Sequence, residues 1–163
     1  MPIPTGVELF YAGIPTNGTN ESQRLTVTGT PAGGSLTWTW SGQTTAAIAY
    51  NSTAAQFQAL AEALSNIDAG EIAASGGPLP GTPIDYTFQN GLGGLNQAAA
   101  TTADSLTGGS APASAITTPT PGVRGTYRGA SFGTILCDTT NGLFYEQTSK
   151  SPATPTWSEV GID

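Results

Sequence analysis

From Arg24 onward apolar and polar residues alternate: Leu25 and Val27 are interleaved with Thr26 and Thr28, and after a turn at 31–35, Leu36, Trp38 and Trp40 are interleaved with Thr37 and Thr39. A period of two puts each set on one face of a strand, so this stretch predicts a meander with one buried face. Residues 46–50 predict a short third strand. The period then changes to about 3.6 residues. Thr53 and Gln56 have capping-box spacing, and Phe57, Leu60, Ala61 and Leu64 recur on one side of a helix over about 53–65. So short a helix does not stand alone in water, and its apolar stripe is expected to lie on a sheet.

Residues 71–75 predict a weak strand of small residues. Ile84, Tyr86 and Phe88, alternating with Asp85 and Thr87, predict a half-buried strand whose aromatic rings pack under the helix. Residues 98–121, nearly all Ala, Thr, Ser, Gly and Pro, read either as a flexible linker or as small-residue strands; strands at 99–105 and 113–118 are favoured because they cover an otherwise open edge. Pro119 and Pro121 mark a boundary, because proline cannot continue a central strand. The expected structural core is Trp38, Trp40, Phe57, Leu60, Leu64, Tyr86 and Phe88.

The two ends read differently. Residues 1–23 hold Leu9, Phe10, Tyr11 and Ile14 among prolines, without sustained periodicity, and predict an extended arm. In residues 123–163, Ile135 and Cys137, a turn at 138–142, and then Leu143 and Tyr145 predict a hairpin with those four on one face. Trp157 and Val160 supply a third strand. About forty residues do not bury a self-sufficient core, so this segment is expected to pack on the central module, 24–122, or on copies of itself.

Composition strengthens the β assignment. Only 9% of residues are charged, against about 25% in ordinary soluble domains, while the chain holds 22 glycines, 12 prolines and 26 threonines. Such a chain favours short strands and tight turns, giving an α+β, mainly β fold: a small antiparallel sheet or sandwich with one packed helix.

Charge narrows the partners. A net charge of −7 with four basic residues provides no cationic track for a phosphate backbone, so no nucleic acid is expected. The start of the chain has no basic leader and no segment has roughly 20 consecutive apolar residues, so synthesis in the cytosol and no membrane association are the expectations. One cysteine and no histidine leave no internal disulfide and no ordinary zinc or haem ligand set, so no metal or cofactor is expected.

No catalytic residues are expected either. The carboxylates are scattered, no histidine is present to activate a Ser or Thr, and G-x-S-x-G does not occur. The glycines at 91–94 lack the third glycine and acidic residue of a dinucleotide loop. Cys137, beside Ile135 and Leu136, reads as a small hydrophobe. Tyr127, Phe132, Phe144, Tyr145 and Trp157 fit either a contact surface or a platform for stacking sugars. Few charged or amide side chains stand near them to fix sugar hydroxyls, which favours contact.

The motifs LTVTGTPAGGSLTWTW, GQTTAAIAYNSTAAQFQALAEAL, GGPLPGTPIDYTF and SLTGG, in this order, resemble a β-rich module of virion structural proteins from phages of actinobacteria. GTILCDTTNGLFYEQTS and PTW are similar to the C-terminal segment of phage head-fibre, head-decoration and tail-fibre proteins. The resemblance implies a capsid decoration protein that is made in the host cytoplasm, binds the major capsid protein outside the assembled head as a homotrimer, and reinforces the shell. The alternative it leaves is a head-fibre or tail-fibre module that binds carbohydrate on the host surface. On the decoration reading, Leu9, Phe10, Tyr11, Ile14, Tyr127, Phe132, Phe144, Tyr145 and Trp157 are the candidate subunit and capsid contacts.

Overall fold

Short strands dominate the chain, and the one α-helix among the described residues lies where the hydrophobic period changes. The computed structural model describes residues 8–11, 13, 15–130, 132–151 and 153–160, the first four by their backbone alone. In order the elements are β1 (Glu8–Tyr11), β2 (Ser22–Thr28), β3 (Gly33–Trp40), β4 (Gln43–Thr44), β5 (Ile48–Ala49), α1 (Ala54–Ala61), β6 (Ile72–Gly76), β7 (Ile84–Phe88), β8 (Thr101–Thr107), β9 (Ala113–Thr120), β10 (Ile135–Asp138), β11 (Leu143–Gln147) and β12 (Trp157–Val160). The fold is α+β and mainly β. Its contacts divide into a central unit, 21–89 with 97–121, and a terminal unit, 1–20 with 90–96 and 122–163.

In the central unit β2 and β3 are not neighbours in a meander. One sheet has the order β6-β7-β2-β9, and β3 belongs to another, where it pairs with β4, β5 and β8. The turn after β2 therefore crosses between sheets, as does the turn after β8, and the two turns meet where Ser110 N–H donates to Gly29 O at 2.9 Å. The reason lies in the side chains. Leu25 and Val27 on β2 and Leu36, Trp38 and Trp40 on β3 are all buried, and large apolar faces cover each other better across a sandwich than side by side in one open sheet.

Aromatic rings fill the space between these sheets. Trp38 lies edge-on to Tyr86 with ring centres 5.6 Å apart, and Trp40 meets Phe88 at 5.2 Å. Phe57 closes the arrangement from the helix, 5.0 Å from Tyr86 and 5.6 Å from Trp38. Trp38, Trp40, Phe57, Tyr86 and Phe88 are thus buried.

A polar chain runs through the same core. Trp38 Nε1–H donates to Tyr86 Oη, whose hydroxyl donates to Gln23 Oε1, both at 2.9 Å. Gln23 Nε2–H in turn donates to Glu21 Oε1 at 2.6 Å and to Ala98 O at 3.1 Å. Gln97 and Ala100 N–H donate to Glu21 Oε2 and Gln23 Oε1, so buried side chains replace a strand ladder for the segment entering β8. Burial raises the Tyr86 hydroxyl pKa far above its ordinary value.

The helix begins as its capping signature requires. Thr53 Oγ1 accepts from Gln56 N–H at 3.3 Å, and Gln56 Oε1 accepts from Thr53 N–H at 2.9 Å. It stops at Ala61, earlier than the expected 65, with turns following Glu62. Ala54, Phe57 and Ala61 make its buried stripe, whereas Leu60 and Leu64, expected in the core, are half-buried. Loss of the last helical turn moves Leu64 off the stripe, and Leu60 lies to its side. The helix is further fastened to β6 by Gln58, whose Oε1 accepts from Ala74 N–H at 3.1 Å.

In the terminal unit the sheet order is β1-β10-β11-β12. The N-terminal stretch is not only an arm: β1 pairs in parallel with β10, Glu8 opposite Ile135 and Phe10 opposite Cys137. The 90–96 segment also belongs here. Gly94 N–H donates to Asn20 Oδ1 at 2.9 Å, and Arg128 donates to Gly93 O at 2.8 Å and Gly91 O at 2.6 Å, holding the single 3-10 turn at Asn90–Leu92.

Candidate functional site

The terminal sheet has two unlike faces, set by the alternation along β10 and β11. Leu136 stands opposite Tyr145, and both are buried with Ala130 and Trp157, while Tyr127 and Leu143 pack at the margin. Trp157 is fixed at both polar ends: its indole N–H donates to Thr126 O at 3.0 Å, and its backbone N–H donates to Asn17 Oδ1 at 2.8 Å. Tyr145 and Trp157, expected at a contact surface, are therefore interior residues of their own unit. Burial, with Glu159 and Asp138 nearby, pushes the Tyr145 hydroxyl pKa up.

The opposite face carries a row of apolar side chains. Register places Cys137 beside Phe144 and Phe144 beside Val160, at successive strands. Phe144 is 37% exposed and Val160 39%, while Cys137 is a half-buried free thiol. The next register row is Ile135, Glu146 and Ser158. Ile135 and Cys137 thus share the outer face, not the face of Tyr145 as the hairpin reading supposed. Three consecutive apolar residues, 135–137, give period two no way to choose, and it is Leu136 that is buried.

Asp138 anchors the end of this sheet. Its buried carboxylate accepts from Gly13 N–H and Thr140 N–H at 2.8 Å and from Asn141 Nδ2–H at 2.7 Å, with a longer bond from Asn141 N–H. Burial opposes its charge, but the Asn141 side chain and these backbone donors together hold its pKa below the usual carboxylate value.

Phe132, 54% exposed, and Val123, 41%, add apolar surface elsewhere in the terminal unit. The side chains of Leu9, Phe10 and Tyr11, and all of Ile14, lie outside the described residues. Sequence reasoning missed Val160 as a surface residue, although its spacing from Trp157 already places the two on opposite faces of a strand.

A concavity of about 360 Å³ opens beside the helix between Ala47, Ala49, Ser52, Gln56, Ala59 and Leu60. It is apolar and shallow. The Gln56 side chain is engaged in the helix cap, so few polar groups converge to orient a ligand. Among the described residues no group of three or more potential ligands is arranged for a metal ion, and no helix is long and apolar enough to cross a membrane.

No protein-family model matches this chain, and no curated protein does. Among solved structures, a protein of Mycobacterium phage Patience is similar over 88% of the chain, with 13% identity and a TM-score of 0.41. The chain corresponds to 57% of that protein's length.

Proposed function

We propose that this chain is a non-enzymatic phage capsid decoration protein, made in the host cytoplasm and bound through its terminal unit to the major capsid protein on the outside of the head. The observation that carries the reading is where apolar surface lies. Val123, Phe132, Phe144 and Val160, the large hydrophobic residues exposed among those described, all belong to the terminal unit. In the central unit Trp38, Trp40, Phe57, Tyr86 and Phe88 are buried. Exposed apolar side chains gathered in one part of a chain mark an interaction surface, and the sequence resemblance supplies the class of partner.

A homotrimer on the shell is part of the proposal, because weak contacts multiplied threefold hold a decoration protein in place. The rival, a carbohydrate-binding fibre module, is disfavoured because two of its five candidate stacking rings, Tyr145 and Trp157, are interior. Cosedimentation of the full chain with undecorated shells, together with immunogold labelling of virions, tests the proposal. Saturable shell binding and even head labelling are expected; label confined to the tail overturns it.

A further inference from the structure

We propose that Asn141-Gly142, at the exposed turn between β10 and β11, is a site of spontaneous deamidation that Asp138 holds in check in the folded chain, and that the modification, once made, opposes closure of the turn. The inference stands apart from the decoration reading.

The chemistry belongs to the dipeptide. The backbone nitrogen of the residue after an asparagine can attack the side-chain amide carbon, and glycine, with no Cβ, obstructs that approach least. At this turn the Gly142 nitrogen gives up its proton to solvent and bonds to Asn141 Cγ, the Cγ–Nδ2 bond breaks, and Nδ2 takes a proton from solvent and leaves as ammonia. Water then opens the cyclic imide at either carbonyl, giving aspartate or isoaspartate. One water is consumed for each amide lost, and nothing is oxidised or reduced.

Asn141 and Gly142 are both exposed, so solvent reaches them, and what restrains them is one neighbouring residue. Asn141 Nδ2–H donates to Asp138 Oδ2 at 2.7 Å, which holds the departing group, and Gly142 N–H donates to Asp138 O at 2.8 Å, which engages the attacking group. Asp138 Oδ1 accepts from Thr140 N–H and Asn141 N–H and fixes the turn between them. To bring Gly142 N onto Asn141 Cγ, the Asn141 side chain has to swing off Asp138. The nitrogen also has to lose its proton near a carboxylate whose charge disfavours a second anion. Reaction in the folded chain therefore waits on local opening of the turn.

The same dipeptide at Asn17-Gly18, in the same unit, supplies the contrast. Gly18 N–H donates to Pro155 O at 2.9 Å, and Asn17 Oδ1 accepts from Trp157 N–H at 2.8 Å. Asn17 is held through its oxygen, which an aspartate retains. Asn141 is held through its side-chain nitrogen, and an oxygen in that place sets a second negative acceptor against Asp138 where a donor stood. Of these two sites, only deamidation at 141 turns a closing contact into a repulsive one.

Two measurements on the full chain test this. Peptide mapping by mass spectrometry, after incubation at mildly alkaline pH, is expected to find Asn141 deamidating at least about tenfold more slowly in the native chain than in urea. Asp138→Asn, whose oxygen can still serve the backbone but whose amide then faces the Asn141 amide donor to donor, is expected to raise the Asn141 rate severalfold and leave the Asn17 rate unchanged, with Trp157 fluorescence confirming that the unit is folded. Equal Asn141 rates in native buffer and urea, or no acceleration in folded Asp138→Asn, overturn the inference. The second measurement needs no change at Asp138: Asn141→Asp is expected to lower the urea midpoint of the terminal unit, and Asn17→Asp to leave it in place. A midpoint unmoved by Asn141→Asp, or moved equally by both, overturns the proposed consequence of the modification.

Discussion

Trp38 and Tyr86, on facing sheets of the central unit, are joined twice: their rings meet edge to face with centres 5.6 Å apart, and the indole N–H donates to the phenolic oxygen at 2.9 Å. The contact supplies packing and polar satisfaction together, and Gln23 extends it to the segment entering β8. Removing one atom from this chain leaves buried partners unmet.

Tyr86→Phe is accordingly expected to destabilise the central unit by about 1–3 kcal/mol, since Trp38 Nε1–H loses its acceptor in a dry core. The hydroxyl also sets an alkaline limit. Its folded pKa is raised, so the unfolded chain releases this proton first; the associated stability is fully present below about pH 10 and is lost as pH rises from there through the folded value. Urea denaturation across that range checks both points, and a Tyr86→Phe profile as steep as the wild type sinks the second.

Phe57→Ala and Leu60→Ala separate the buried from the half-buried side of the helix. The first is expected to cost about 3–5 kcal/mol, and the second less than the ~2–5 kcal/mol of a fully buried leucine. Equal shifts in chemical denaturation midpoint, at equal slope, count against Phe57 as the closing residue.

Asp138 gives the terminal unit an acid limit. Because its folded pKa is lowered, its contribution is present above the ordinary carboxylate value of about 3.9 and is lost as pH falls through the lowered value. Trp157 fluorescence and exchange of the Gly13 amide are expected to report loosening of this unit in that window. Asp138→Asn is expected to weaken the unit at neutral pH and to flatten its acid dependence; an unchanged acid profile refutes the assignment.

Gly94 has φ +63°, and a Cβ there would overlap the carbonyl oxygen of Ala153. Gly94→Ala is expected to disrupt the terminal unit while the central unit keeps its cooperative transition. Gly42→Ala, with φ +81° but open space around it, is expected to cost only about 1 kcal/mol of left-handed strain. Separate Trp157 and central-unit NMR signals on heating distinguish the two cases.

Local pattern exposed much of the central fold. Strict alternation located β7, whose Ile84, Tyr86 and Phe88 are buried in turn, and the Thr53–Gln56 spacing located the helix start. Alternation does not say which strand lies beside which, so the crossing of β2 and β3 into different sheets was hidden. Nor does a carboxylate or glutamine in a polar stretch announce that it will bind distant backbone, as Gln23 binds it 75 residues later and Glu21 76 residues later. The contact surface was legible by residue type and not by face. Tyr145 and Phe144 are adjacent aromatics, and only the register with β10 sends one inward and the other out.

The parallel pairing of β1 with β10 also imposes an order of events during translation. At roughly 5–20 residues per second, β1 leaves the ribosome about 6–25 s before the strand it pairs with has been made. The central unit's residues are all synthesised within that interval. Throughout it, the ELFY segment has no native strand to pair with, and its backbone donors and acceptors are left to water or to another chain.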